Sequence, residues 1–255
     1  MTPRNRRLLL IAALHAGLIA IVTGAYISSV KAGSPASQTE PSSGVHRIVA
    51  LLAAGLTGAG VIAEKFTASQ RLAISIAAAS LIVSAAVGWN PPLSQGAAVW
   101  HAAFAHLFVL SIVIALLVPV RQQKLDSWRA LRPAAMWTPA AVFGQILMGA
   151  LFRHQITGIV PHVLGAMVVA LLALVVSAIV LQYFAGCREW KRAATWLISA
   201  VLLQLCLGIA VFLLILLKVG SGSPFVWTAT AHVTVGALVL AASLKMAFEV
   251  LGGSQ

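Results

Sequence analysis

Val160–Gly186 reads VPHVLGAMVVALLALVVSAIVLQYFAG, a run with one imidazole and no charged side chain. About 20 mostly apolar residues are enough to carry an α-helix across the hydrocarbon core of a bilayer. A soluble helix of this length would need a polar face, and this run has none. The run therefore predicts a membrane span.

Seven more runs of the same kind flank it, so the predicted spans are 8–30, 45–63, 72–89, 98–120, 133–153, 160–186, 194–217 and 225–248. They are too long for barrel staves and lack the alternation of apolar and polar residues that staves require. The first run follows Arg4, Arg6 and Arg7, as a signal peptide would. It is longer than a signal core and no clear small-residue cleavage site follows it, so it reads as a retained span. With 60% hydrophobic and 9% charged residues, the expected main solvent is lipid.

The formal charge of +12 is unevenly placed. Of the 17 basic residues, 13 fall at the chain termini or in alternate connections, around Arg4–Arg7, Lys65–Arg71, Arg121–Arg132, Arg188–Arg192 and Lys245. Only Lys31, Arg47, Arg153 and Lys218 fall on the other side. That asymmetry predicts cytoplasmic N- and C-termini in a membrane of the bacterial inner or plasma type. It also accounts for the charge without nucleic acid. Cys187 and Cys206 fall at an inner helix end and within a span, so they read as packing residues and not as a disulfide.

The sequence repeats. Gly24-Ala25 and Gly149-Ala150 are each followed nine residues later by a glycine, Gly33 and Gly158. Val45-His46-Arg47 then matches Pro161-His162-Val163, and His101 with Leu107 and Ser111 matches His232 with Leu238 and, after a slip of one residue, Ser243. The expected fold is all-α and integral to the membrane, with eight transmembrane helices as two parallel-repeat four-helix bundles over 1–128 and 129–255.

Of seven histidines, His46, His101, His162 and His232 open the four even-numbered spans at one predicted depth near the outer face. One such histidine alone reads as an interfacial side chain bonded to headgroups or loop carbonyls. Four at corresponding places in two repeats read as ligands, and paired imidazoles on facing helices are a common way for a bundle to hold haem iron. The pairing by repeat is His46 with His101 and His162 with His232. His106 lies five residues beyond His101, about 7.5 Å deeper and on another face; repeat symmetry favours His101. His15, inside the first span, reads as a packing or interhelical residue. Lys31, Arg47, Arg153 and His154 lie next to the proposed ligands and suit contacts to haem propionates, although each alone could equally reach lipid phosphate.

The segments Gly24-Ala-Tyr-Ile-Ser-Ser-Val-Lys-Ala-Gly33, Val45-His46-Arg47, Gln145-Ile-Leu-Met-Gly-Ala-Leu-Phe-Arg-His154, Pro161-His-Val-Leu-Gly-Ala166 and Thr230-Ala-His-Val-Thr-Val-Gly-Ala237 together resemble the haem A synthase family of cytochrome oxidase assembly membrane proteins. The resemblance implies a haem b held by His162 and His232 in the C-terminal half. It implies that His46 and His101 receive haem O in the N-terminal half, where a ring methyl is oxidised to the formyl group of haem A. Its implied partners are the bilayer, a haem O supplier and the oxidase assembly machinery, and nothing in the sequence opposes a homo-oligomer. The family carries a glutamate three residues before the helix-two histidine, where this chain has Ser43. A serine hydroxyl does not readily accept a proton near neutral pH, and Glu40 is the candidate replacement. Ser43 therefore favours the alternative of a haem carrier or b-type electron-transfer protein without the oxidation. A transporter fits a parallel repeat, but no span shows an obvious midplane break or buried acidic pair.

Overall fold

The computed structural model describes residues 1–33, 41–63, 65–89, 93–118, 131–219 and 222–251. These form eight helices: α1 (Pro3–Gly33), α2 (Pro41–Ile62), α3 (Ala68–Gly88), α4 (Gln95–Leu117), α5 (Leu131–Arg153), α6 (Ile159–Tyr183), α7 (Arg188–Leu216) and α8 (Ser223–Leu251). All eight are long and apolar enough to cross a membrane, and no strand occurs among the described residues. The chain is an all-helical integral membrane protein.

Each expected span has its helix, and the ends differ for local reasons. Helix α3 starts four residues before its apolar run because Thr67 and Gln70 close a capping box, each side chain bonding the other's backbone N–H. Ser94 caps α4 at Ala97 N. Helix α7 begins at Arg188, six residues before its apolar run, because a charged turn can remain helical once it leaves hydrocarbon. Helices α5 and α7 are followed by left-handed residues, Gln155 (φ 60°) and Lys218 (φ 57°). In each case the next N–H reaches back five residues, Ile156 to Leu151 and Val219 to Leu214, closing the helix in a Schellman turn.

Helix α1 lies against α2 and α4, α2 against α3, and α3 against α4. In the second half α5 lies against α6 and α8, α6 against α7, and α7 against α8. Helices α1 and α8, α4 and α5, and α4 and α8 make the contacts between halves. One apolar cluster comes wholly from α5–α8 and their connections; the other comes from 1–117 with Ala237 and Leu244 of α8.

Lipid tails are as apolar as leucine, so close packing replaces the hydrophobic effect as the force between these helices. Small residues share the most enclosed positions with large ones: Ala13, Ala53, Ala77, Ala115, Ala173 and Ala194 have no exposed surface, and neither do Ile74, Ile112, Leu197 and Leu240. Gly17 lies so near the Phe108 ring that an added Cβ would overlap it. Large apolar side chains such as Ile48, Ile62 and Leu217 face outward.

Candidate functional site

The four histidines that open the even-numbered runs meet as two pairs. The His46 ring on α2 faces His101 on α4 at a centroid distance of 6.0 Å and an interplanar angle of 65°. The His162 ring on α6 faces His232 on α8 at 6.2 Å and 85°. All four are half-buried.

Each ring rests on a glycine of the helix preceding its own. A Cβ added at Gly24 would lie 3.1 Å from His46 Cε1, and one at Gly88 would lie 2.5 Å from His101 Nδ1. In the second half, a Cβ at Gly149 would lie 2.9 Å from His162 Cε1, and one at Gly208 would lie 3.1 Å from His232 Cε1. The glycines are needed because the imidazole occupies the space a side chain would fill.

Polar groups beside those glycines orient the rings. His101 Nδ1 lies 2.9 Å from the Ser84 carbonyl, which can only accept, so Nδ1 carries the proton. The Ser84 hydroxyl donates in return to the His101 carbonyl at 3.2 Å. Thr23 Oγ1 lies 3.0 Å from His46 Nδ1. The Thr23 proton goes to the Ile19 or Ala20 carbonyl, which leaves the oxygen to accept from the ring. The Gln145 side-chain amide nitrogen lies 2.9 Å from His162 Nδ1 and donates to the His162 carbonyl at 2.7 Å. At His101 and His46, protonation at Nδ1 leaves the Nε2 lone pair free, the tautomer that suits a metal-binding imidazole. Beside His232 the contact falls on the other ring nitrogen: Gln204 Nε2 lies 3.4 Å from His232 Nε2, and His232 Nδ1 has no hydrogen-bond partner.

His106 has no part in either pair. It is buried in the first-half core and bonds the Ala102 carbonyl of its own helix at 2.8 Å. His15, expected to pack or bridge helices, is exposed and bonds the Ile11 carbonyl at 2.7 Å. An i to i−4 bond satisfies that ring without a neighbouring helix.

The other site candidates divide. Arg153, at the end of α5, crosses to α1, where Nη2 donates to the Ala25 carbonyl at 2.7 Å, Ser28 Oγ at 2.7 Å and Ser29 Oγ at 2.6 Å. Its other N–H groups are those that could meet a carboxylate. His154 follows it; burial, with the charges of Arg153 and His101 nearby, pushes its pKa below the ordinary imidazole value. The Arg47 guanidinium lies 5.8 Å from the centre of the Trp89 ring, a cation–π contact. Glu40 and the Lys31 side chain lie outside the described residues.

The orienting residues Thr23, Ser84, Gln145 and Gln204, and the seats Gly88 and Gly208, were not singled out in the sequence as site residues. A signal for them exists: Ser84–Gly88, Gln145–Gly149 and Gln204–Gly208 share one polar-to-glycine spacing of four on odd-numbered helices.

Among the described residues, no group of three or more His, Cys, Asp or Glu comes together. Two-ligand pairs are poor sites for a bare ion but suit a metal that brings its own equatorial ligands. A metal–imidazole bond is about 2 Å long, so two rings gripping one metal ion from opposite sides have centres about 6 Å apart. Both pairs have that spacing. In the second half Gln145 Oε1, Gln204 Oε1 and His232 Nδ1 are buried without a hydrogen-bond partner, so polar capacity remains beside that pair. The residues fit haem iron. Set against protein-family models and curated proteins, the chain matches none of them.

Proposed function

We propose that this protein binds haem through two bis-histidine sites and acts as a haem A synthase-like membrane oxidoreductase. In this reading α1–α4 and α5–α8 are two four-helix bundles related by a parallel repeat. The helix neighbours support that arrangement, since the contacts of α1 with α4 and α2 recur as those of α5 with α8 and α6. The excess of basic residues on one side puts both termini in the cytoplasm and the histidines toward the outer face.

One observation carries the reading: two imidazole pairs at repeat-matched positions, 6.0 and 6.2 Å apart, each ring seated on a glycine. His162 and His232 would hold haem b, which supplies one-electron redox chemistry when bound. His46 and His101 would hold the substrate haem O while a ring methyl is oxidised to the formyl group of haem A. In that change water would supply the oxygen, four protons would be released and four electrons would leave through the haem b half to an external one-electron acceptor. The protein's own contribution is placement. The Ser84 carbonyl sets the tautomer of His101, glycines allow the helices to close on the rings, and the helical wall limits water. Arg153, and with it Lys31, Arg47 and His154, would receive propionates. Glu40 would accept protons in place of the family's glutamate.

Ser43 supports a second reading, in which the protein binds haem as a carrier or b-type electron-transfer protein without oxidising it. Co-expression with a haem O source, followed by pigment extraction, separates the two. Formyl-bearing haem A is the expected product. Haem b without haem A would leave only the binding role, and absence of any haem would remove both. Replacing Glu40 with Gln should lower the haem A yield; an unchanged yield would exclude Glu40 from the chemistry.

A further inference from the structure

At the end where α7 begins and α8 finishes, the two helices enclose a groove of about 370 Å³. Its walls are apolar, with Ala200 and Leu203 on α7 and Val235, Leu238 and Ala242 on α8. Arg192 and Lys245 stand at its charged end. A second hollow of about 300 Å³ adjoins it, shares Arg192 and Trp196, and adds Arg188, Lys191 and Thr195.

The dimensions indicate what the groove can hold. Along α7 it runs from Ala193 to Leu203, and along α8 from Val235 to Lys245. Ten residues at the helical rise span about 15 Å on either wall, which is half the hydrocarbon core of about 30 Å. The slot is therefore one leaflet deep. Trp196 lies exposed near the charged end, the level at which tryptophan rings favour the interface.

Charge at the rim selects the headgroup. Arg192 pairs with Glu189 at 2.6 Å, and Lys245 pairs with Glu249. Arg188 and Lys191 have no ion pair among the described residues. Four cations against two carboxylates leave two positive charges at the mouth of an apolar slot. We propose that this groove is a binding site for an anionic glycerophospholipid, with one acyl chain along α7 and α8 and its phosphate held by Arg188, Lys191 and Arg192. Basic pockets between spans hold acidic headgroups in this way. The apolar end of the groove, at Val235 and Leu203, comes within one turn of His232 and Gln204, but its charged end does not, and the proposal stands without the haem reading.

Native mass spectrometry of the delipidated full-length protein tests the site, with phosphatidylglycerol, phosphatidylcholine or inorganic phosphate added separately. One phosphatidylglycerol should remain bound, with a preference over phosphatidylcholine of about tenfold or more. Arg188→Gln with Lys191→Gln should remove that preference. Ala200→Phe should displace the acyl chain and reduce retention while leaving the rim charges in place. Equal retention of the two lipids, an undiminished preference in the double variant, undiminished retention in Ala200→Phe, or phosphate binding as well as phosphatidylglycerol would overturn the proposal.

Discussion

At Gly149 an added methyl would sit 2.9 Å from His162 Cε1, closer than ordinary contact allows. A Gly149→Leu substitution should push the ring from its partner while leaving most of the span's apolar packing intact. Bound haem per protein is expected to fall about tenfold or more, the scale on which support of a metal ligand acts. Unchanged haem content, with helicity retained by circular dichroism, would show that the glycine seat is dispensable. His154 gives a pH test. Its folded pKa is lowered, so the folded state resists protonation and stability decreases as pH falls below the unfolded imidazole value of about 6.5. Thermal unfolding at pH 7 and pH 5 should therefore show a larger acid loss in the native chain than in His154→Asn. Equal losses would contradict the assignment. At this scale the sequence revealed the histidines, because four appear in register across a repeat. Thr23, Ser84, Gln145 and Gln204 were harder to find. A lone polar residue in a span carries no mark of the ring it will meet on another helix.

The helices themselves were legible, since apolar runs of about 20 residues with at most one charged side chain each leave little alternative to a helix. Their ends were less so. Thr67 and Gln70 are polar and read as a connection, yet their reciprocal bonds begin α3 there. Thr67→Ala should cost about 1 kcal/mol of stability, measured by thermal unfolding in a fixed detergent. No change would mean that this turn is held by other contacts. Packing between elements depends on small residues. Gly17→Leu would drive a side chain into the Phe108 ring on α4, with an expected loss of about 2 kcal/mol or more. A stability equal to the native chain's would show that α1 and α4 can separate freely.

Across the whole molecule, the two halves are joined by apolar contacts and by Arg153. Its bonds to Ala25, Ser28 and Ser29 link the end of α5 to α1. Such a crossing is invisible in sequence, where residues 28 and 153 lie far apart and Arg153 looks like any basic residue at a helix end. Histidine spacing, by contrast, was readable and predicted which rings would meet. Arg153→Met should lower the unfolding midpoint by about 5 °C, as expected for about 2 kcal/mol in a chain of this size.

The central claim is that facing imidazoles ligate haem iron, and the most direct measurement is low-temperature electron paramagnetic resonance of the oxidised, purified protein. The account predicts a low-spin bis-imidazole ferric signal that His162→Ala and His232→Ala each abolish in the C-terminal site, whereas His106→Ala leaves it intact. A protein that carries no haem after expression with adequate haem supply, or a low-spin signal left undiminished by both substitutions, would contradict it.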